Sequence, residues 1–320
     1  MPHFLIEMTQ TIHRKLNESS AARWTVLFIV SVVMMMGYVV AKEMSPLQYF
    51  LELPQSEGGL GWSSSEFGLF IGSRGFFNVY LLMLFVSGVI LDKTGVRFAG
   101  MLSCVLMLVG TAIDYYAIAI ASPVPATEVT FPTLGLDHTM VKDQVLMSAF
   151  GFAVFGIGYE LCGITVSKVI VKWFSGKEMA LAMGIQVALA RLGTALALLG
   201  GPFLAKYYQL STPILVGLFS VGLAVVIYLI YCAMDRKLDK ASAADNIEEK
   251  QAEKFSFKGL LTTLRSPGFW LITLLCMLYY SALYPFLDFA TKLMISKYGV
   301  SPEWAGGISS ILPSALCFCR

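Results

Sequence analysis

Eight apolar stretches, each about long enough to cross a bilayer, divide this 320-residue chain. A helix rises about 1.5 Å per residue and needs roughly 20 apolar residues to span the hydrocarbon core. Residues 24–41, 75–91 and 98–122 come first, and only Asp114 interrupts them. Residues 144–167 hold a single charge, Glu160, and residues 179–205 a single charge, Arg191. Residues 207–234, 266–287 and 304–319 hold none. With 14% of residues charged, against about 25% in soluble domains, the chain cannot cover a water-facing surface. The pattern predicts an all-α polytopic membrane protein in a lipid bilayer. A net charge of +2 leaves no basic footprint for nucleic acid. The six cysteines follow no disulfide or zinc spacing, and neither metal nor cofactor is expected.

Helix-start chemistry marks several boundaries. Ser63-x-x-Glu66 reads as a capping box ahead of the second span. Thr212-Pro213, Ser266-Pro267 and Ser301-Pro302 each place a hydroxyl before a first-turn proline. Glycines at 68, 72, 156, 158, 184 and 193 would let helices approach closely. Positive residues accumulate in cytoplasmic loops. With the N-terminus inside, fifteen Lys and Arg fall in inner segments and five (Lys42, Lys142, Lys206, Lys292, Lys297) in outer ones. This bias predicts a cytoplasmic tail (1–23), a six-helix half (24–234), a mixed-charge, partly helical connector (235–265) and the beginning of a second half (266–320). Residues 121–143 read as an external loop.

Gly88-Val-Ile-Leu-Asp92-Lys93-Thr-Gly95-Val-Arg97 lies between the second and third spans. It resembles the signature loop of the major facilitator superfamily, Gly-x-x-x-Asp-Arg/Lys-x-Gly-x-Arg. The resemblance implies a gate at which acid and bases pair across the cytoplasmic side. Gly156-Ile-Gly158-Tyr-Glu160, Trp173-Phe-Ser-Gly176-Lys177-Glu178, Gly184-Ile-Gln186-x(4)-Arg191-Leu-Gly193, Tyr279-Tyr280-x(3)-Tyr284-Pro285-Phe286 and Lys297-Tyr-Gly299-Val follow in order. Together they are similar to the lysosomal dipeptide uniporter branch and its bacterial relatives, over most of residues 24–315. In one respect the chain departs from that branch. Phe152 stands where an arginine linked to proton coupling is common, which favours facilitated or differently coupled transport.

An ionisable residue inside a span is expensive and marks a functional site by default. Counted from the inner helix ends, Glu160 and Arg191 both lie about 18–20 Å deep, near the midplane, on consecutive antiparallel spans. Glutamate suits an ammonium group, and the planar fork of arginine suits a carboxylate. The branch resemblance implies that these two residues hold the ends of a dipeptide. The plainer reading is that they pair with each other and tie two helices. Tyr38, Asn78, Gln186, Tyr279, Tyr280 and Tyr284 are further cavity-lining candidates. Arg74 reads as a snorkelling or outer-gate residue near the end of its span, and Asp114 and Asp288 as gate or vestibule groups.

The leading expectation is therefore a secondary transporter or uniporter for small zwitterions, dipeptides above all. A facilitator or antiporter of small organic or inorganic anions, using Arg191 alone, is the nearest rival. A non-transporting scaffold or receptor is a rival of another class. No enzyme is expected, because no nucleophile–base set or phosphate loop is present. The sequence does not say whether an accessory subunit or a homodimer is used. The short tail lacks an acidic dileucine signal, which points to a bacterial inner membrane rather than a lysosome. Complete facilitators have twelve helices, so 320 residues read as an intact first half and part of a second.

Overall fold

The computed structural model describes residues 19–121, 126–130, 138–244, 262 and 264–318. The first helix, α1 (Ser20–Glu43), starts at Ser19, whose hydroxyl accepts a bond from the Ala22 N–H. A turn through Ser45–Leu47 leads to the short α2 (Gln48–Glu52). The capping box then starts α3 (Ser64–Ser73): Glu66 N donates to Ser63 Oγ at 3.1 Å, and Ser63 N donates to Glu66 Oε2 at 2.8 Å. Next come α4 (Phe76–Tyr80) and α5 (Met83–Tyr115). Strands β1 (Ala126–Thr130) and β2 (His138–Lys142) pair antiparallel. The remaining helices are α6 (Asp143–Phe174), α7 (Met179–Tyr207), α8 (Thr212–Ala244), α9 (Pro267–Tyr298) and α10 (Pro302–Phe318).

Among the described residues six helical runs are long and apolar enough to cross a membrane. Exposed large hydrophobics such as Leu196, Phe219 and Leu223 cover the outer surface, where lipid replaces water as the surrounding medium. Helix α5 lies along α6, α1 packs against both α7 and α8, and α10 against α7. The core includes Trp173, Tyr228, Tyr231, Phe67, Phe70 and Phe155, all fully buried.

The structure corrects some of these expectations and adds detail to others. Residues 75–91 are not one span: the helix breaks around Gly75 and again at Leu81–Leu82, and Leu82 adopts a left-handed backbone. The inner limb then continues through Gly95 (φ 78, ψ 171), a conformation open only to glycine, and returns as the third span within α5. The 121–143 loop contains the β1–β2 hairpin, whose strands (Ala-Thr-Glu-Val-Thr and His-Thr-Met-Val-Lys) carry β-branched residues. Helix α8 runs on to Ala244 through the first ten residues of the expected connector; prolines 123, 125 and 132 and the rest of that connector, except residues 262, 264 and 265, lie outside the described residues. Finally, Ser266 is the N-cap of α9 by position, but its hydroxyl makes no capping bond. Of the glycines expected to mediate close approach, Gly156, Gly158 and Gly193 do so, whereas Gly68, Gly72 and Gly184 face open space.

The loop motif, the Ser175–Glu178 turn and Asp235–Asp239 lie at one end of the bundle, referred to below as the motif face. The β-hairpin, the Ser45–Leu47 turn and the α9–α10 junction lie at the other, the hairpin face.

Candidate functional site

A cavity of about 540 Å³ opens between α3, α4, α6 and α9, lined by Arg74, Asn78, Glu160, Tyr284, Asp288 and Phe289 among others. Arg74 reaches it because α3 starts at Ser64, which places Arg74 ten residues into the helix, about 15 Å deep. The guanidinium donates from Nη1 to the Ala41 carbonyl at 3.1 Å. It also lies over three rings, Phe152 at 5.9 Å, Tyr159 at 6.0 Å and Tyr284 at 5.8 Å, each within cation–π range. Gly156 brings α6 against this segment: a Cβ there would sit 2.0 Å from the Arg74 carbonyl oxygen. Asn78 is anchored by donating from Nδ2 to the Gly156 carbonyl at 3.1 Å, and its buried Oδ1 has no partner.

Glu160 faces the same cavity, and the cation acting on it is Arg74. Among the described residues no ion pair joins Glu160 to Arg191, so the simple reading that the two tie their helices together is not what the structure contains. Arg191 stands outside the lining, and its charge reaches Tyr284 and Lys42 instead. Tyr38 also stands back from the cavity, packed edge-on against Tyr159 at 5.2 Å. Gln186 is buried within α7, outside the lining. On α9, Tyr280 stacks on Tyr284 at 5.3 Å and Tyr279 on Tyr280 edge-on at 5.2 Å, but only Tyr284 lines the cavity. An aromatic column runs beneath the site: Phe70 on Phe152 at 4.7 Å, Phe152 on Phe155 at 5.7 Å, and Phe155 on Tyr159 at 5.9 Å.

The hairpin-face rim is closed by charge. Lys42 and Asp288 form a buried ion pair, and Ser45 Oγ donates to the same carboxylate at 2.9 Å. Lys292 bonds both Glu52 oxygens at 2.6 and 2.5 Å and Ser64 Oγ at 2.7 Å. Phe289 meets Phe67 edge-on at 5.9 Å, and Lys206 pairs with Glu303. Lys42, read from sequence as an outer-loop cation, is thus a buried residue of the last turn of α1. Asp114 lies buried on α5, its Oδ1 accepting from Ser148 Oγ at 2.8 Å.

At the motif face, Asp92 accepts from Lys168 at 2.6 Å. Arg97 bonds Asp239 at 2.6 Å and lies 3.5 Å from Asp235. Lys172 bonds the same two acids at 2.9 and 2.8 Å. Gly95 joins the two limbs of α5, Gly88 lies in regular helix on the first limb with open space beside it, and the Lys93 side chain is solvent-exposed. The motif therefore ties α5 to α6 and α8. The pairs of this motif join helices of the first half, with Asp235 and Asp239 on the extended α8 taking up the basic side chains.

Sequence reading placed Arg74 at an outer gate and Lys42 in an outer loop, whereas Arg74 lines the cavity and Lys42 is buried in α1. The signal for Arg74 was present in the capping box: counting from Ser63 rather than from the apolar run at Gly75 places the arginine inside the membrane.

A broken-helix bundle of six apolar runs, with charged residues within them and ion pairs at its rims, has the form of a polytopic membrane protein of the facilitator type. The Major Facilitator Superfamily family model matches residues 19–319, and the chain belongs to that superfamily. It is similar to the lysosomal dipeptide transporter MFSD1 of Homo sapiens, 29% identical over 178 residues, covering 51% of this chain and 36% of that protein. The Danio rerio protein of the same name is 27% identical over 241 residues, covering 72% and 47%. The chain thus spans less than half the length of these relatives. Among solved structures, a D-xylose–proton symporter matches with TM-score 0.60 and 13% identity, covering 94% of this chain and 67% of that one. A peptide transporter in complex with sulfate matches with TM-score 0.50 and 18% identity, covering 84% and 50%. Both show the shared fold.

Proposed function

We propose that this protein is a secondary transporter that moves dipeptides by alternating access, with Glu160 receiving the ammonium end and Arg191 the carboxylate. The observation that carries the reading is that, among the described residues, no ion pair joins these two charges to each other. A dipeptide in extended form separates its ends by about 7 Å, so its partners must stand apart rather than touch. Glu160 lies open to a cavity of about 540 Å³, within the usual range for small-molecule sites. Tyr284 lies within electrostatic reach of both Arg74 and Arg191. Arg74 balances and positions Glu160 from the opposite wall, while Asn78 Oδ1 offers an unused acceptor. The dipeptide substrate named for the MFSD1 relatives supports this substrate class.

The ion pairs joining α9 and α10 to the earlier helices lie at the hairpin face, whereas Trp270, Leu271, Leu275 and Tyr279 of α9 are exposed toward the motif face. The Lys and Arg bias of the sequence puts the motif face toward the cytoplasm and the ion-paired hairpin face outside. The six-helix half ends with α8 and the second half starts with α9.

Thermal stability of the detergent-purified protein tests the site. An unmodified dipeptide should raise the midpoint, since a ligand binding only the folded state stabilises it. N-acetylating the dipeptide, Glu160→Gln or Arg191→Lys should each weaken the effect at least tenfold. A response to simple carboxylates but to no dipeptide would replace this reading with the anion facilitator. Dipeptide binding without uptake into liposomes would leave a receptor.

A further inference from the structure

A second cavity, of about 300 Å³, lies between α1, α7 and α8. Met35 and Val39 of α1 form its back, Leu196 and Leu204 of α7 one wall, and Val216 and Ser220 of α8 the other. It exists because α7 and α8 both pack on α1 but touch each other little. Leu196 and Val216 on its rim are 49% and 46% exposed, so the cleft opens sideways, toward lipid. Residues 35, 39 and 43 are successive turns of α1, which gives the cleft a length of about 12 Å along the helix.

Its hairpin-face end is closed by Glu43, the last residue of α1. Glu43 is 4% exposed, and its Oε2 has no hydrogen-bond partner. The carboxylate rests on Gly217 of α8, where a Cβ would sit 2.0 Å from Oε2. The adjacent Lys42 is held by Asp288 and forms no ion pair with Glu43. The ionisable group whose charge reaches it is another acid, Asp114 of α5. The nearby Ser220 hydroxyl donates to the Gly217 carbonyl at 2.7 Å and gives Glu43 nothing. A carboxylate at the end of an apolar cleft, with the adjacent lysine already committed, calls for a cation from outside.

We propose that this cleft binds an amphiphile whose hydrocarbon body lies along α1 and whose protonated primary amine bonds Glu43. That chemistry is shared by free alkylamines and by lipids with an aminoethyl headgroup. The site is separate from the dipeptide cavity, and its test needs no transport.

Native mass spectrometry of the delipidated full chain in a neutral detergent, titrated with dodecylamine or dodecanol, isolates the headgroup from the tail. Dodecylamine should bind about tenfold more tightly than dodecanol, the worth of one charge-assisted bond. Glu43→Gln should abolish that preference, and Gly217→Ala should weaken it by displacing the carboxylate. Phosphatidylethanolamine binding with the same Glu43→Gln sensitivity identifies the lipid as the source. Binding of dodecylamine without phosphatidylethanolamine identifies a free amine. If Glu43→Gln fails to fold, Val216→Trp, which fills the mouth and leaves Glu43 in place, must lose the amine just as completely. Equal affinity for amine and alcohol in the wild type, or a preference that survives these substitutions, overturns the proposal.

Discussion

A single missing methyl group sets the position of Arg74. The α6 backbone at Gly156 comes so close to the Arg74 carbonyl that any Cβ must push the two segments apart. Gly156→Ala should therefore cost about 1–3 kcal/mol, as overpacking of a tight contact does. It should also shift Arg74 off the rings of Phe152, Tyr159 and Tyr284. A fall in thermal midpoint together with weaker dipeptide stabilisation checks this; loss of stability with unchanged binding would separate the glycine from the site. Charges buried in apolar spans were the legible part of the site, because they stand out against their surroundings. Which residues they face was not legible. Phe152, read as a missing arginine, is a buried member of the aromatic column, and the guanidinium of Arg74 lies over its ring. Tyr280 and Tyr284, four residues apart on one helical face, stack together, yet only the second reaches the cavity.

Helix order and most boundaries follow from hydropathy, but breaks within apolar stretches do not. Phe76-Phe-Asn-Val-Tyr80 and Leu81-Leu-Met-Leu-Phe85 are uniformly apolar apart from Asn78, so composition cannot show that the helix is interrupted between them. The reversal at Gly95 was signposted by its glycine, although the signal concerned a loop rather than two limbs joined almost directly. Gly95→Ala should cost about 1–3 kcal/mol, because the backbone there lies in a region closed to side chains. Circular dichroism melts measure the loss. A melt unchanged by the substitution would mean the limbs can meet at another angle, with Asp92–Lys168 and Arg97–Asp239 re-formed around it.

At the scale of the molecule, the described ion pairs of α9 and α10 with the earlier helices lie at the hairpin face. Removing Lys42 alone leaves Asp288 buried with only Ser45 for company, a loss of about 3–5 kcal/mol. Lys42→Ala combined with Asp288→Ala should cost less than the sum of the two single changes, and additive values from thermal melts would show the pair to be incidental. Lys42 and Lys292 were both read from sequence as loop charges, since no one-dimensional pattern says that α9 folds back against α1, α2 and α3. The consequence is mechanical. Two ion pairs and a ring contact, at Asp288, Lys292 and Phe289, hold α9 to α1, α2 and α3, with Pro285 at the edge of the held region, so α9 cannot tilt against the earlier helices unless all three are released together.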